Sequence, residues 1–305
     1  MKRIVVIGSL NMDSVIETPH MPKEGETVSG QSVTLVPGGK GANQAYAAGI
    51  LGGNVSMIGA VGNDAFGTIL KTNLGKAGVD ISSVAEIEGA TTGQAFITVD
   101  DSGENSIIII AGTNGMVTKE FIQGHIKRIE ESDIVIMQLE IPIETVEYVK
   151  DLAVGMGKTV IIDPAPAVAD LPDSFWQGVD YIKPNETELE ILSGKSMKTL
   201  EELKEGAREF LKKGVKHVIA SLGEDGCLFV SEEEEKFFQS NKVKAVDTTA
   251  AGDSFTAAFA LALSEGKSCD EAIRFGQKVS AIVVTRKGAQ TSMPTWEEVD
   301  REGRI

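Results

Sequence analysis

From residue 118 onward, the sequence alternates between helix-like segments and short apolar runs typical of buried strands. The runs lie in DIVIMQLE, KTVIIDPAP, DYIKPNE and HVIASLG, and helical patterns cover 118–130, 143–156, 187–193 and 199–213. Two more buried runs, KRIVVIG and VSMIGAVG, precede them. Such alternation predicts an α/β fold with three layers (α/β/α), in which helices cover both faces of a mostly parallel sheet.

Two other segments alternate in the manner of exposed strands and do not fit a parallel core. Thr27 to Val36 has the weak alternation of an exposed strand pair, and residues 92–110 form a hairpin pattern with DDSGEN as its turn. We expect a small separate sheet, such as a lid, built from approximately 11–38 and 92–112. Without internal repeats or long linkers, the sequence predicts one domain over 1–305 with the lid inserted in it.

The net charge of −16 argues against nucleic acid or an anionic membrane as a partner, because both usually require a basic surface. It does not argue against a phosphorylated ligand, which main-chain dipoles and a few cations can hold. The start, MKRIVVIGSLNMD, has too few apolar residues for a signal peptide or a membrane span. Cys227 and Cys269 form no CxxC or zinc pattern, so we expect a reducing, cytoplasmic location, and their role stays open.

The stretch DTTAAGDSF, residues 247–255, stands immediately before the apolar run TAAFALAL. An acid at a helix start can be a simple cap. The small residues before Asp253, however, let the backbone approach a ligand closely. The N–H groups of Ala250 to Asp253 would form an anion hole at the helix start, and Asp253 could accept a hydroxyl proton. This combination suits phosphoryl transfer, which depends on placement and charge stabilisation.

Further polar residues follow the predicted strands, at the sheet edge where α/β proteins bind ligands. They are Asn11, Asp13, Glu140, Asn185, Glu186, Glu188 and the segment Ser221–Gly226. Each alone could be a cap or a solvated loop. Together with Asp253, they predict one cleft shared by an acceptor hydroxyl, a nucleotide and a catalytic acid.

Two familiar glycine motifs are not present. GSLNMD lacks the GxGxxG spacing of dinucleotide-binding proteins. GGKGAN is not a Walker A motif, because Gly41 follows Lys40 where a Ser or Thr would hold Mg²⁺. Its paired glycines still predict close backbone approach to a small polar ligand, with Asn43 at the following helix start.

GGKGANQA and DTTAAGDSF, about 210 residues apart with NETE and SLGEDG between them, resemble the two signatures of the ribokinase-like (PfkB) family of carbohydrate kinases. The resemblance extends from GSLNMD at residue 8 to KGAQTSMP at 287–294. It implies the ribokinase-like fold with a β-sheet lid, and ATP-dependent phosphorylation of D-ribose at O5.

The resemblance also implies roles for individual residues. Asp253 would be the catalytic base, and Ala250, Ala251 and Gly252 would form the anion hole with it. The implied sugar contacts are Asn11, Asp13, Gly39, Lys40, Gly41, Asn43, Glu140 and Asp253. The implied ATP contacts are Asn185, Ser221, Leu222, Gly223, Glu224, Asp225, Gly226, Gly252 and Gln277.

It further implies Mg²⁺ with ATP, with Glu188 in the Mg²⁺–phosphate region, and a homodimer formed through the lid sheets. A monovalent cation, usually K⁺, would lie at Asp247, Thr249, Val283, Arg286, Gly288 and Ser292. The sequence departs from the family pattern at three positions. Thr256 and Ala257 replace a frequent Asn and Gly, and Gln277 stands near the expected adenine where His or Asn is familiar.

Other readings remain open at this point. The acceptor could be deoxyribose, fructose or a nucleoside, since such kinases share the anion hole and differ in the sugar pocket. A non-catalytic sugar-binding regulator on the same fold would be expected to lack Asp253 or its small neighbours, and all are present. A NAD(P)-dependent oxidoreductase is disfavoured because the glycine fingerprint is missing.

Overall fold

The computed structural model describes residues 1–301. Its strands are β1 (Ile4–Ile7), β2 (Asn11–Thr18), β3 (Ser32–Gly38), β4 (Val55–Gly62), β5 (Asp80–Ile87), β6 (Gly93–Asp100), β7 (Asn105–Ile110), β8 (Ile134–Met137), β9 (Thr159–Ile162), β10 (Tyr181–Ile182), β11 (His217–Ser221), β12 (Gly226–Ser231) and β13 (Glu235–Gln239). Its α-helices are α1 (Lys40–Ile50), α2 (Ala65–Lys76), α3 (Lys119–Gln123), α4 (Ile126–Glu130), α5 (Ile143–Gly155), α6 (Asp173–Trp176), α7 (Glu186–Ser193), α8 (Leu200–Lys212), α9 (Ala251–Ser264), α10 (Cys269–Val283) and α11 (Trp296–Arg301).

Nine strands form the large sheet, in the order β13-β12-β11-β10-β9-β8-β1-β4-β5. In this order, the seven strands β11, β10, β9, β8, β1, β4 and β5 pair in parallel. β12 pairs antiparallel with β11, and β13 pairs antiparallel with β12 at the edge of the sheet. The central strands are short and wholly buried, as the apolar runs IVVI and IVIM predict. The predicted mostly parallel α/β/α sheet is confirmed.

Each face of this sheet carries its own hydrophobic cluster. Side chains of α1, α9 and α10 pack on one face, and side chains of α5, α7 and α8 pack on the other. Helix α9 is buried over most of its length, because Ala, Phe and Leu occupy nearly all of its turns. This burial fixes the first turn of α9 against the carboxyl ends of the central strands.

The second sheet has four strands in the order β3-β2-β6-β7. β6 and β7 form the hairpin predicted over 92–110, with its turn between Asp100 and Asn105. The strand pair predicted within 27–36 is wrong: only β3 forms there, from Ser32 onward, and it pairs with β2. The small sheet itself, predicted as a lid, is confirmed.

Two local predictions differ from the structure. The helix expected over 118–130 is two short helices, α3 and α4, because the chain leaves the helical path at Gly124 and His125. The sequence patterns also did not identify α2 and β5, which complete the edge beside β4. Within residues 1–301, no helix combines the length and the apolar character needed to cross a bilayer.

Candidate active site

The carboxyl ends of the central strands converge on one polar cleft of about 220 Å³. It is lined by Lys40, Asp163, Lys183, Asn185, Glu188, Ser221, Thr248, Ala250, Ala251, Gly252 and Asp253. Helices α1, α7 and α9 all begin at this cleft. The position agrees with the rule that open α/β sheets bind ligands beyond the carboxyl ends of their strands.

The start of α9 presents unpaired donors to the cleft. Ala250 has a left-handed backbone conformation (φ 59°), and no side chain caps the helix. Among residues 1–301, the N–H groups of Ala250, Gly252 and Asp253 have no partner, whereas Ala251 donates to the carbonyl oxygen of Thr248 at 3.2 Å. Three of the four predicted anion-hole donors are therefore free.

Two amides hold the Asp253 carboxylate, which is only 5% exposed. Asn43 Nδ2 donates to Oδ2 at 2.9 Å, and Gln44 Nε2 donates to Oδ1 at 3.1 Å. Each carboxylate oxygen has two acceptor positions, so each keeps one available. Asp253 is thus oriented and still able to accept a proton.

Lys40 lies among carboxylates. Its main-chain N–H donates to Glu140 Oε2 at 2.9 Å, and Ser9 Oγ donates to the same oxygen at 2.5 Å. Burial alone would lower the pKa of the Lys40 ammonium, but the charges of Asp253, Asp163 and Glu140 outweigh it and raise the pKa. Burial raises the pKa of Glu140, against the opposing charge of Lys40. Lys40 therefore carries a full positive charge in the cleft.

The glycines of GGKGAN bring α1 against the end of β1. Gly39 adopts a φ of 86°, which favours glycine. A Cβ on Gly41 would lie 2.6 Å from the main-chain nitrogen of Ser9 and 2.7 Å from the carbonyl carbon of Gly8. The glycines were predicted to let the backbone approach a ligand closely. In the structure, Gly41 also lets α1 approach the backbone of Gly8 and Ser9, directly after β1.

Asp13 reaches the site from the lid, on β2. A Cβ on Gly38 would overlap its carboxylate, so that glycine leaves the space in which Asp13 lies. Burial, followed by the negative charges of Glu140 and Asp253, raises the pKa of Asp13 to about 7. Its Oδ1 is buried and has no partner among the described residues. Asn11, two residues earlier on β2, accepts a hydrogen bond from Asn114 Nδ2 at 2.7 Å.

The predicted nucleotide residues lie at the ends of β10 and β11. Asn185 caps α7, and the Glu188 side chain accepts from the Asn185 N–H at 2.8 Å to complete a capping box. Burial and the charge of Asp163 raise the pKa of Glu188. Ser221 forms a bridge with Asn185, and Gly223–Asp225 forms a 3₁₀ turn before Gly226.

Gln277 lies farther along, on α10. Its amide donates to the carbonyl oxygen of Phe238 at 2.9 Å, so its side chain is held by the β13 strand.

The predicted cation residues bring two loops together beside α9. Asp247 accepts from the N–H (2.9 Å) and hydroxyl (2.6 Å) of Thr249 and from the N–H of Gly288 (2.8 Å). Burial alone would raise the pKa of Asp247, but these hydrogen bonds lower it.

The other predicted cation residues use their groups in different ways. The Val283 carbonyl accepts from the Arg286 N–H, the Arg286 guanidinium binds Glu298, and the Ser292 hydroxyl donates to the Ala289 carbonyl. Within residues 1–301, the carbonyls of Thr249, Arg286 and Gly288 accept no hydrogen bond.

Three buried side chains of the site were not identified from the sequence: Gln44, Asp163 and Lys183. Asp163 and Lys183 directly follow the strands β9 and β10, so the same rule that selected Glu140 would have found them. Gln44 follows Asn43 inside α1, where its sequence position looks like any helical glutamine. Only the packing of α1 against α9 brings it to Asp253.

Comparison with known proteins identifies the family of this chain. Residues 1–296 match the family model described as "pfkB family carbohydrate kinase". This chain belongs to the pfkB family of carbohydrate kinases. A pfkB relative, the ribokinase of Haemophilus influenzae, is 41% identical over 97% of this chain and 97% of its own length.

Solved pfkB structures also superpose closely on this chain. The ribokinase of Thermotoga maritima is 42% identical, with a TM-score of 0.91 over 99% of both chains. The ribokinase of Arabidopsis thaliana, solved with ribose and ATP, is 34% identical, with a TM-score of 0.93 over 98% of both chains. The ribokinase-like fold expected from the sequence is confirmed.

Proposed function

We propose that this chain is an ATP-dependent kinase that phosphorylates D-ribose at O5, giving D-ribose 5-phosphate and ADP. The observation that carries the proposal is the buried Asp253 carboxylate at the start of α9, beside free main-chain donors and two lysines. The similarity to ribokinases over nearly the whole chain, one of them solved with ribose and ATP, supports ribose as the acceptor.

Asp253 acts as the general base. The sugar O5 attacks the γ-phosphorus, the new O5–P bond forms, the bond between phosphorus and the bridging β,γ-oxygen breaks, and the O5 proton passes to the Asp253 carboxylate. Asn43 and Gln44 fix the plane of that carboxylate, leaving an acceptor position on each oxygen. Asp13, Glu140 and Asn43 hold the sugar hydroxyls, with Asn11 and the Gly39–Gly41 backbone completing the pocket.

The free N–H groups of Gly252 and Asp253 stabilise the charge that develops on the transferring phosphoryl group. Preorganised donors of this kind are each worth roughly 10² to 10³ in rate. The N–H of Ala250 adds a third donor, and Lys40, which lines the same cleft, supplies a positive charge. The turn Ser221–Gly226, with Asn185 and Gln277, accommodates the rest of the nucleotide.

Lys183 is a second cation for the phosphate. Its side chain is 6% exposed, and its Nζ lies 3.7 Å from Asp163 Oδ2, beyond hydrogen-bond distance. A Cβ on Gly252 would lie 3.2 Å from that Nζ, so the ammonium sits against the positive end of α9. Within residues 1–301, this buried ammonium has an ion-pair partner in Asp163 but no hydrogen bond, so its N–H donors remain available for a phosphate at the helix N-terminus.

Replacing Lys183 with methionine is expected to lower kcat/KM for ATP by roughly ten- to hundredfold, the usual cost of losing a hydrogen bond to a charged group. ADP binding should change much less, because the lost contact is to the γ-phosphate. Steady-state kinetics and ADP calorimetry measure both effects. The matched control is Lys216→Met, since Lys216 is itself exposed and, within residues 1–301, pairs with Asp180 alone. Equal fold-losses in kcat/KM for ATP and in ADP affinity would contradict the assignment of Lys183 to the γ-phosphate.

The residues present fit the two metals that the family implies. Glu188 uses one oxygen for the Asn185 N–H, and its Oε1 accepts no hydrogen bond within residues 1–301, leaving it for Mg²⁺ or its waters. The Asp247 carboxylate and the free carbonyls of Thr249, Arg286 and Gly288 are hard oxygen ligands suited to K⁺. Bound Mg²⁺ would neutralise phosphate charge, and bound K⁺ would support the loop before α9.

The function is tested by measuring ADP release from Mg·ATP with D-ribose, 2-deoxy-D-ribose, D-fructose and adenosine, each with K⁺ or Na⁺ as the only monovalent cation. We expect D-ribose to give the highest kcat/KM and K⁺ to exceed Na⁺. If another acceptor gives a higher kcat/KM than D-ribose, that acceptor replaces D-ribose as the proposed substrate, and the proposed kinase activity stands. Equal rates in K⁺ and Na⁺ would contradict the cation site.

The lid has an apolar face suited to a second copy of the chain. The strand register places Leu35, Phe96 and Ile108 in one row on the face opposite Asp13, and these side chains are exposed. Exposed apolar rows of this kind mark interaction sites. We expect a homodimer through the lids, and Ile108→Lys should convert it to a monomer in sedimentation velocity. A wild-type monomer at micromolar concentration would contradict this.

A further inference from the structure

The Gln44 side chain joins two buried carboxylates of the site. Its amide Nε2 donates to Asp163 Oδ2 at 2.9 Å and to Asp253 Oδ1 at 3.1 Å. Gln44 is 0% exposed, so no water competes for either bond. One NH₂ group therefore supplies a donor to each of two acids that would otherwise repel one another across a dry interior.

A second buried glutamine sets the direction of that amide. Gln138 Nε2 donates to Gln44 Oε1 at 2.6 Å. Gln138 is itself 0% exposed, and it occupies the space that a Cβ on Gly8 would fill. Because the carboxylates only accept and Gln138 donates from the other side, Gln44 has one satisfied orientation, with its NH₂ toward the acids.

The other oxygen of Asp253 is held by a parallel arrangement. Asn43 Nδ2 donates to Asp253 Oδ2 at 2.9 Å, and Gln290 Nε2 donates to Asn43 Oδ1 at 3.1 Å. Each oxygen of the carboxylate thus accepts from an amide that is itself fixed by a buried glutamine. Two such anchors fix the carboxylate plane, whereas one would leave it free to rotate.

We infer that Gln44 is a positioning residue for Asp253, and that Gln138 acts through Gln44 by fixing the direction of its amide. This inference rests on the proposed role of Asp253 as the base. Gln44 is not itself among the residues that line the cleft. It hydrogen-bonds to two residues that are, Asp163 and Asp253, and it acts by aiming the Asp253 carboxylate at the attacking hydroxyl. A misaimed base lowers the rate of the chemical step more than it lowers substrate affinity.

The test compares three variants by kcat and by KM for D-ribose. Gln44→Met keeps the volume and removes both donors, and should lower kcat roughly ten- to hundredfold while KM stays within about threefold. Gln138→Met should lower kcat less, by about three- to tenfold. Gln138→Glu should be worse than Gln138→Met, because a carboxylate at 138 accepts from the Gln44 NH₂ and turns the Gln44 carbonyl oxygen toward the two acids.

Thr145→Val is the control for a buried polar-to-apolar change. Thr145 is fully buried on α5, and its hydroxyl has no partner among the described residues, so the variant should keep wild-type kinetics. Thermal melts and ATP binding check that each variant is folded. If the Gln138→Glu protein does not fold, the Gln44→Met and Gln138→Met variants decide the test.

Asp253→Asn and the double variant Asp253→Asn/Gln44→Met complete the set. If Gln44 acts through Asp253, the double variant should be no slower than Asp253→Asn alone. A Gln44→Met kcat within twofold of wild type, or additive losses in the double variant, would overturn the inference while leaving the proposed function intact. Wild-type turnover in Asp253→Asn would overturn the base role and, with it, the positioning role.

Discussion

Replacing Asp253 with asparagine is expected to lower kcat for D-ribose by roughly 10² to 10⁴-fold, the usual contribution of a general base. The substituted amide cannot take the hydroxyl proton, and its NH₂ group must face one of the two amide donors that now hold the carboxylate. ATP affinity should be retained, because the main-chain donors of the first turn of α9 remain. Rapid-quench kinetics and ATP calorimetry measure the two quantities.

The matched control is Asp270→Asn. Asp270 also lies in the first turn of a helix, α10, and within residues 1–301 its carboxylate pairs with Lys236 alone, at the protein surface. If an acid in the first turn of a helix only stabilised the helix N-terminus, Asp253→Asn and Asp270→Asn would both lower kcat little and by similar factors. We expect Asp270→Asn to keep kcat within about twofold. A similarly small loss in Asp253→Asn would remove Asp253 from the catalytic step.

Replacing Asp13 with asparagine is expected to raise KM for D-ribose by roughly ten- to hundredfold, because a carboxylate can accept from two sugar hydroxyls with charge assistance. In the wild type, KM should also rise as the pH falls from 8 to 6. The pKa of Asp13 is about 7, so most of the carboxylate becomes protonated over that range. In the variant, this pH dependence should vanish. An unchanged KM at pH 8 would contradict the role of Asp13 in sugar binding.

The ionised Asp13 carboxylate that favours ribose binding is expected to lower the stability of the folded protein. The folded protein holds the Asp13 proton more tightly than the unfolded chain does, so this contribution to stability is present below pH 3.8 and is lost as the pH rises through about 7. At pH 8, Asp13→Asn should therefore raise the free energy of unfolding, by roughly 1 to 3 kcal/mol. Urea unfolding at pH 5 and pH 8 measures it. A variant that is less stable than wild type at pH 8 would contradict the burial argument.

The fold was predictable where short-range pattern decides the structure. Apolar runs as short as IVVI favour buried strands, and DTTAAGDSF before the apolar run TAAFALAL indicates a helix start. Residues 27–31 were misassigned because weak alternation alone does not show whether a strand has a partner; the strand that pairs with β2 there begins only at Ser32. The single helix predicted over 118–130 was wrong because Gly124 and His125 interrupt an otherwise helical pattern.

The site was predictable where a residue follows a strand or lies in a signature, as with Asn185, Glu140 and Asp253. It was not predictable for Gln44, whose partners are more than 90 residues away in sequence and meet it only through helix packing. The environment of Lys183 was also not predictable, since its ion pair with Asp163 and its position against the first turn of α9 depend on how the neighbouring backbone is placed. Long-range polar contacts of this kind leave no periodic signal.

The measurement that tests the central claim most directly is ³¹P NMR of the product formed from Mg·ATP and D-ribose in the presence of K⁺. The account predicts equimolar ADP and a single sugar phosphate whose phosphorus couples to the two C5 protons, as in D-ribose 5-phosphate. Phosphorus coupled to the C1 proton would place the attacking hydroxyl elsewhere in the pocket. Release of inorganic phosphate without any sugar phosphate would contradict the proposed transfer.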